Sequence, residues 1–357
     1  MMRRSSMEVL VVQALALLLL CVLLAMPLLH AAHAAGSCLP AEQAALLAFK
    51  AGIKEDPVNL VQGWVKSTDC CSGWFGVVCD AQGHVVRLDL RPDPAFDEGV
   101  YLTGTISSSL GSLPKLTYLD LSDLKNLSGA LPEDLGKLKY LQHLDVRTNK
   151  LTGSIPSSFG YLTNLDWLSL GDNFLTGSIP PSLGNLGPKL NYLYLSGGSL
   201  SGSIPASIFH LPNLTYLYLG SNRLSGGIPS DLSPLATLQY FDLSGNKLSG
   251  GLPKNIGEQL NQLGLLDVSS NKFSGSIPDS IGLASGIHFL GLNNNEFSGH
   301  IPAALAKLKN LVYANLANNR LTGPIPQGAP FSTIGMFDNN PGLCGSPLPA
   351  CKRKLKL

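Results

Sequence analysis

Hydrophobic residues in this chain follow a pattern that repeats through most of its length. A hydrophobic residue followed by proline recurs in steps of 24 or 25 residues. The hydrophobic members of these pairs are Leu131, Ile155, Ile179, Ile204, Ile228, Leu252, Ile277, Ile301 and Ile325. A fixed period of this length indicates stacked repeats, each of which buries its apolar residues against its neighbours.

The positions inside one repeat predict its local structure. Residues 165–180 show the unit, which reads L-x-x-L-x-L-x-x-N-x-L-x-G-x-I-P. Its alternation predicts a short strand that directs Leu168 and Leu170 into the core and Trp167 and Ser169 outward. The segment after the proline is too short for an independent helix. This is the leucine-rich-repeat pattern, so we predict an α/β solenoid of about ten repeats, with a parallel sheet on the concave face and a 3₁₀ or irregular convex face.

An asparagine recurs in the turn of nearly every repeat. It occupies positions Asn149, Asn173, Asn222, Asn246, Asn271, Asn295 and Asn319. A buried amide there can satisfy backbone groups of adjacent repeats that no regular ladder serves. Gly198 replaces it in one repeat, which predicts a local gap in this ladder.

The N-terminal end differs from the repeats. Arg3 and Arg4 precede an apolar stretch at residues 9–29 and an Ala-x-Ala site ending at Ala34, which predicts a cleaved signal peptide over residues 1–34. The apolar stretch is also long enough to be a retained signal anchor. Residues 41–54 place apolar side chains at helical intervals and predict a helix over the open end of the first repeat.

Six cysteines remain after Cys21 leaves with the signal peptide, and they flank the repeats. They are Cys38, Cys70, Cys71, Cys79, Cys344 and Cys351. An even number in a secreted chain indicates disulfides, and neither end has the paired C-x-x-C spacing of a zinc site.

Motifs at both ends resemble those of one protein family. The cap sequence at residues 69–80, Asp-Cys-Cys-Ser-Gly-Trp-Phe-Gly-Val-Val-Cys-Asp, the L-x-G-x-I-P repeat ending and the segment at residues 340–351 are similar to plant extracellular leucine-rich-repeat proteins. This group includes receptor-like kinases, receptor-like proteins and polygalacturonase-inhibiting proteins. The resemblance implies a right-handed superhelix of plant-type repeats, with disulfides from Cys38 to Cys70, from Cys71 to Cys79 and from Cys344 to Cys351.

The resemblance also implies a domain organisation. An N-terminal cap spans residues 35–84, the repeats span 85–334, a C-terminal cap spans 335–351 and a basic tail follows at 352–357. About ten repeats without a kinase domain resemble the polygalacturonase-inhibiting group most. Inhibitors of that group usually carry a second cysteine pair in the C-terminal cap, whereas only Cys344 and Cys351 stand here.

Outward positions of the predicted concave strands form two columns of candidate partner contacts. Nine strands spaced about 4.8 Å apart present a face about 38 Å long. The candidates are Tyr118, Asp120, Asp145, Trp167, Tyr192, Tyr194, Tyr216, Tyr218, Tyr240, Asp242, Asp267 and Phe289. Aromatic residues there act as interface anchors or pack against their cross-strand neighbours. The doubled tyrosines at positions 192, 194, 216 and 218 favour the first role, because sheet stabilisation does not require both columns.

The predicted concave face is acidic on a molecule without net charge. The chain has 25 basic and 24 acidic residues, and loss of Arg3, Arg4 and Glu8 with the signal peptide makes the two numbers equal. Against one basic residue, Arg147, the outward positions hold Asp120, Asp123, Asp145, Asp166, Asp172, Asp242 and Asp267. We expect either a basic protein partner or a merely solvated surface, and no nucleic acid.

An enzymatic role is not indicated. Asp120 and Asp145 stand on adjacent strands, but an open sheet offers no pocket to raise the pKa of one of them. No Ser-His-Asp order, phosphate loop or dinucleotide fingerprint occurs, and His143 and His288 are too far apart to share a metal. We therefore expect no catalytic residue, no cofactor and no bound metal.

Two functions follow from the resemblance. One is inhibition of a pathogen polygalacturonase in plant defence, and the other is recognition of a peptide or another leucine-rich-repeat ectodomain in signalling. An ice-binding role would need a flat, regular array of Thr or Asn, which the outward columns lack. We expect a secreted monomer in the extracellular space or cell wall, with glycans on the sequon residues Asn126 and Asn213.

Overall fold

The computed structural model describes residues 36–93, 99–328, 331 and 335–351. The predicted signal peptide and the basic tail lie outside the described residues. Within those ranges, no helix combines the length and apolarity needed to cross a bilayer. The coils stack along one axis and share a continuous core of buried leucine, isoleucine and phenylalanine side chains.

A helical cap covers the first coil. Helix α1 (Pro40–Ala51) begins with a proline in its first turn and buries Leu46 and Phe49. Its Glu42 is also buried, because it accepts the backbone N–H of Val85 at 2.6 Å. The predicted helix is therefore present, although it ends three residues earlier than expected.

Three short elements and two disulfides complete this cap. The elements are strand β1 (Ile53–Glu55), helix α2 (Cys70–Gly73) and strand β2 (Val77–Cys79). Asp69 caps α2 by accepting the Cys71 N–H at 2.9 Å. The disulfides join Cys38 to Cys70, Cys71 to Cys79 and, at the other end of the chain, Cys344 to Cys351. The pairing that the resemblance implied is confirmed.

The predicted parallel sheet is present on the concave face and has twelve strands. After β2 they are β3 (Val85–Asp89), β5 (Tyr118–Asp120), β7 (His143–Asp145), β9 (Trp167–Ser169), β11 (Tyr192–Tyr194), β13 (Tyr216–Tyr218), β15 (Tyr240–Asp242), β17 (Leu265–Asp267), β19 (Phe289–Gly291), β21 (Tyr313–Asn315) and β23 (Gly335–Met336). Strands β2 and β3 are antiparallel, and the later pairs are parallel because each coil repeats the direction of the last.

A second set of strands runs along the flank of the solenoid, where only turns were predicted. We call it the flank sheet. Its strands are β4 (Thr103–Thr105), β6 (Leu127–Ala130), β8 (Lys150–Gly153), β10 (Phe174–Leu175), β12 (Ser201–Ser203), β14 (Arg223–Gly226), β16 (Lys247–Gly250), β18 (Lys272–Ser276), β20 (Glu296–Gly299), β22 (Arg320–Pro324) and β24 (Gly342–Cys344). It consists of a five-stranded part that includes β1 and a seven-stranded part, joined by a single bridge from Ser178 to Ser201. The x-L-x-G part of each repeat alternates outward and inward, so equivalent segments of adjacent coils pair as strands.

The convex side consists mainly of 3₁₀ turns, as predicted. Their bounds are Ser108–Ser112, Glu133–Lys137, Ser157–Tyr161, Pro181–Lys189, Ala206–His210, Ser233–Leu235, Asp279–Leu283 and Ala303–Lys307. A short α-helix, α3 (Ile256–Gln259), takes this place in one coil. Each turn directs an apolar residue such as Leu135 or Phe159 into the core.

The turn asparagines form the predicted buried ladder. Asn173 Oδ1 accepts the N–H of Leu151 in the preceding coil at 2.9 Å, while its Nδ2 donates to the carbonyl oxygens of Val146 and Leu170. Equivalent bonds are made by Asn149, Asn222, Asn246, Asn271, Asn295, Asn319 and Asn340. The last of these extends the ladder into the C-terminal cap. Gly198 leaves the predicted gap.

Candidate functional site

The strand register aligns the two outward columns of the concave face. The first column contains Tyr118, His143, Trp167, Tyr192, Tyr216, Tyr240, Leu265, Phe289 and Tyr313. The second column contains Asp120, Asp145, Ser169, Tyr194, Tyr218, Asp242, Asp267, Gly291 and Asn315. The candidate contacts therefore lie on one face of neighbouring strands.

Rings of the first column stack on one another along the solenoid. The ring centroids of Tyr118 and His143 are 4.1 Å apart, and those of Trp167 and Tyr192 are 3.6 Å apart, with nearly parallel planes in both pairs. The guanidinium of Arg87 closes the stack 3.6 Å from the Tyr118 centroid. Because the ring faces contact each other, the stack stabilises the sheet and presents ring edges to solvent.

The stack loosens at its centre, where the tyrosines are doubled. We define the tyrosine cluster as Tyr192, Tyr194, Tyr216, Tyr218 and Tyr240, all of which are half-buried. The rings of Tyr192 and Tyr216 are tilted by 46°, and those of Tyr194 and Tyr218 meet edge to face. The Tyr194 hydroxyl donates to Asp172 at 2.6 Å. The other four hydroxyls have no hydrogen-bond partner among the described residues.

The hydroxyls of Tyr192, Tyr194 and Tyr218 remain protonated at physiological pH, because the pKa of each is raised. Burial, together with the neighbouring tyrosines, raises the pKa of Tyr218 to about 12. Burial and the hydrogen bond to Asp172 also raise the pKa of Tyr194. The cluster thus presents neutral groups that both donate and accept hydrogen bonds, on an apolar base.

Asp120 and Asp145 are not the free surface charges that the sequence analysis expected. Each residue is only 1% exposed. Asp120 accepts the hydroxyl of Ser122 at 2.6 Å and lies 3.5 Å from Arg91, while Asp145 accepts a hydrogen bond from Arg147 at 2.8 Å. A partner would meet both carboxylates already buried and paired, so we withdraw them from the contact set.

The surroundings of these two carboxylates shift their pKa values in opposite directions. Burial opposes ionisation of Asp120, but the nearby His143, whose Nε2 lies 3.6 Å away, hydrogen bonds from Ser122 and the charge of Arg91 outweigh it and lower its pKa to about 2. Burial prevails at Asp145 and raises its pKa.

Donor atoms of Asp120, His143 and Asp145 lie within 4.8 Å of one another, a spacing that a metal ion could bridge. This group could not be recognised in the sequence, where His143 was paired only with His288, because its members come from successive coils. Both carboxylates already pair with arginines, so the group acts as an ion-paired cluster under the first column.

Two arginines that the sequence analysis left out neutralise the N-terminal end of this face. Strand β3 supplies Arg87 and Arg91 follows it, and both pair with Asp89. They were missed because the strands were counted from the next coil onward. The unpaired acidic charge of the second column therefore lies at Asp242 and Asp267, which are half-buried on adjacent strands. The predicted acidic character of this face is therefore offset at its N-terminal end and stays a prediction for the remainder.

An exposed ladder of amides borders the C-terminal part of the concave sheet. Asn339 Nδ2 donates to Asn318 Oδ1 at 2.6 Å, and Asn318 Nδ2 donates to Asn294 Oδ1 at 2.7 Å. Asn294 Nδ2 donates in turn to the hydroxyl of Ser270. All four residues have positive φ, which asparagine tolerates better than most residues. The ladder was not predicted, because its residues lie in the turns and not at the strand positions from which the candidate contacts were taken.

The two sequon residues lie outside the concave strands. Asn213 is exposed beside a 3₁₀ turn, where its Nδ2 donates to the carbonyl oxygen of Pro188. Asn126 is half-buried just before β6. Glycosylation of both residues stays a prediction.

Family models match the cap and several repeats. The leucine rich repeat N-terminal domain matches residues 39–80. A leucine rich repeat model matches residues 188–248, and a single-repeat model matches residues 140–162, 164–186 and 262–283.

Curated relatives match part of the chain. The DNA damage-repair/toleration protein DRT100 of Arabidopsis thaliana is 35% identical over 121 residues, which are 32% of each chain. A polygalacturonase inhibitor of Vitis vinifera is 33% identical over 105 residues, which are 29% of each chain. The aligned segments thus span about a third of these relatives' length.

Solved structures match over nearly the whole solenoid. The ectodomain of the receptor kinase GASSHO1/SCHENGEN3 from Arabidopsis thaliana, in complex with CASPARIAN STRIP INTEGRITY FACTOR 2, is 35% identical, with a TM-score of 0.77 over 85% of this chain and 36% of that one. The Arabidopsis HAESA ectodomain with an IDA peptide hormone ligand is 34% identical, with a TM-score of 0.71 over 84% and 49%. A plant ice-binding protein is 32% identical, with a TM-score of 0.73 over 89% of this chain and 100% of that one. The chain therefore belongs to the leucine-rich-repeat family of plant extracellular proteins.

Proposed function

We propose that this protein is a non-catalytic recognition module of the plant extracellular space or cell wall that binds a polypeptide along its concave face. The tyrosine cluster carries the proposal, because four phenol hydroxyls without a partner in the described chain stand on a packed aromatic base. Such side chains combine a large contact area with low conformational entropy and act as interface anchors. The HAESA complex contains a peptide ligand, and the grape relative is named for inhibiting an enzyme, which supports a polypeptide partner.

The shape of the aromatic row favours an extended segment. From Arg87 to Tyr240 it crosses seven strands, or about 29 Å, at the usual strand spacing. An extended chain of about nine residues covers that length. Phenol hydroxyls spaced by strand separations can hydrogen-bond to main-chain carbonyls, so the partner is a peptide or an extended loop of a larger protein.

Charges at the two ends of the row favour one orientation of such a segment. Asp242 and Asp267 at the C-terminal end attract basic side chains, whereas Arg87 and Arg91 at the N-terminal end are already paired with Asp89, so that end lacks this attraction. Inhibition of a polygalacturonase fits this scheme if a basic loop of the enzyme meets Asp242 and Asp267. Recognition of a peptide or another ectodomain uses the same surface.

Two probes test the proposal on the secreted chain, namely a displayed library of 12-residue peptides and a panel of purified fungal polygalacturonases. The double substitution Tyr216→Ala with Tyr218→Ala removes the centre of the cluster but leaves the buried Leu217 of β13 in place. We expect it to weaken binding of the selected ligand by at least about 2 kcal/mol, measured by surface plasmon resonance.

A matched control removes another aromatic pair of the concave face, Phe289 and Tyr313, whose ring centroids are 4.5 Å apart. We expect Phe289→Ala with Tyr313→Ala to change binding much less, because this pair lies beyond the cluster. Equal binding by the cluster variant and the original protein, with unchanged circular dichroism, would exclude the tyrosine cluster as the binding surface.

Ice binding is a second candidate, favoured by the exposed amide ladder. The plant ice-binding protein matches this chain over its whole length, and Asn294, Asn318 and Asn339 form the regular asparagine array that the strand columns lack. We expect the protein to slow ice recrystallisation and Asn294→Ala with Asn318→Ala to abolish the effect. The control is Asn310→Ala, which changes an exposed asparagine on the convex side. Normal crystal growth with the original protein would reject this candidate.

A further inference from the structure

One junction between coils lacks a side-chain hydrogen bond that most other junctions have. At eight other junctions an asparagine Oδ1 accepts a buried amide of the preceding coil, as Asn173 does from Leu151 and Asn222 does from Leu200, each at 2.9 Å. At the first junction the backbone carbonyl of Leu124 accepts the amide of Leu102 instead. The position that faces Leu175 is Gly198, which has no side chain. We call the contact between the β9–β10 coil and the β11–β12 coil the 198 junction.

The flank sheet is also interrupted at the 198 junction. Only one bridge, from Ser178 to Ser201, connects its two parts. The N–H groups of Ser199 and Ser201 still donate to the preceding coil, so the junction is weakened but remains closed.

Packing is incomplete at the same place. A narrow gap with no room for a water molecule lies between the two coils and is lined by Leu170, Gly171, Asn173, Leu175, Leu195, Ser196, Gly198 and Leu200. The buried Ser196 hydroxyl has no hydrogen-bond partner. Both features lower the cost of separating these coils, because few contacts are lost.

On the concave side of the 198 junction, side-chain contacts hold the two coils together. The Tyr194 hydroxyl donates to Asp172 across the junction at 2.6 Å, and its ring covers Gly171 so closely that a Cβ there would lie 2.3 Å from a ring carbon. The stacked pair of Trp167 and Tyr192 crosses it as well, with centroids 3.6 Å apart.

We infer that the 198 junction is a joint in the solenoid, which opens on its flank side and is held on its concave side by a latch between Tyr194 and Asp172. A solenoid with equal contacts between all its coils bends little at any one of them. A single weaker interface between two coils is where most of the bending occurs. The latch belongs to the tyrosine cluster, so a ligand that binds Tyr194 would change how readily the joint opens. Only this last link rests on the proposed function.

Amide hydrogen exchange of the free, full-length secreted chain tests the joint without any partner. We expect the amides of Leu175, Ser199 and Ser201 to exchange at least about tenfold faster than their equivalents one coil earlier and one coil later. Gly198→Asn restores the missing acceptor, and we expect it to slow exchange at Leu175 to the level of Leu151 and Leu200. The backbone of Gly198 is not left-handed, but an added Cβ would lie 2.9 Å from Oδ1 of Asn222, so the Asn222 amide must shift slightly to admit the new side chain.

Two further variants separate the amide from simple filling of space. Gly198→Ala adds the Cβ without the acceptor, and we expect it to leave the fast exchange at Leu175 in place. Asn246→Gly removes the acceptor for Leu224 at a regular junction, where we expect new fast exchange. Uniform amide exchange along the original chain, or no slowing at Leu175 in a folded Gly198→Asn variant, would show that the 198 junction is not a joint.

A matched pair of phenol deletions tests the latch. Tyr194→Phe removes the hydroxyl bonded to Asp172, and we expect a further increase of about threefold or more in exchange at the 198 junction. Tyr218→Phe removes a neighbouring hydroxyl without a protein partner and should leave that exchange unchanged. Equal effects of the two variants would exclude the latch. Because no ligand is present in these experiments, their failure would leave the proposed binding surface untouched.

Discussion

Single residues of the concave face were predicted in position but not in environment. The repeat pattern placed Asp120 and Asp145 on this face correctly, as it did Asp242 and Asp267. It did not show that the first pair is buried and bonded to arginines, because Arg91 follows strand β3, which the pattern did not reveal. Partners one coil apart in sequence meet only after the coils stack.

The ion-paired cluster makes a pH-dependent contribution to stability at Asp120. Its folded pKa of about 2 lies below the unfolded value of 3.8, so the contribution is fully present above about pH 4 and is lost as the pH falls through about 2. We expect Asp120→Asn to lower the free energy of unfolding by about 2 kcal/mol at pH 7 and by much less at pH 2.5, measured by urea denaturation.

Asp166→Asn is the matched control for this measurement, because Asp166 is an exposed acid on the same face. We expect its effect to stay within about 0.5 kcal/mol at both pH values. The same loss of stability at pH 7 and pH 2.5 for Asp120→Asn would show that the cluster acts through packing and not through charge.

At the scale of elements, the regular features of one repeat were predictable and the features that link repeats were not. Alternating leucines predicted the concave strands, the short segments after proline predicted the 3₁₀ turns, and the asparagine position predicted the buried ladder with its gap at Gly198. The flank sheet was missed because its hydrogen bonds run between coils, and a single repeat shows only a turn there. The exposed amide ladder was missed for the same reason.

Across the whole molecule, charge and aromatic surface are divided along the concave face. The N-terminal end is ion-paired, the centre carries the tyrosine cluster, and the C-terminal part carries Asp242, Asp267 and the exposed amide ladder. The overall composition predicted none of this division, because it averages to nearly equal numbers of basic and acidic residues. The identity of the partner depends on this arrangement and not on the fold, which the family shares.

Hydroxyl-radical footprinting of tyrosine side chains, with and without the ligand selected from either probe, tests the central claim most directly. We predict that Tyr192, Tyr216, Tyr218 and Tyr240 become protected in the complex, because the ligand covers their edges on the concave face. Tyr140 and Tyr161, which are 50% and 72% exposed and lie outside the concave strands, serve as internal controls and should be modified equally in both states. Protection of Tyr140 or Tyr161, with the tyrosine cluster as reactive as in the free protein, would contradict recognition on the concave face.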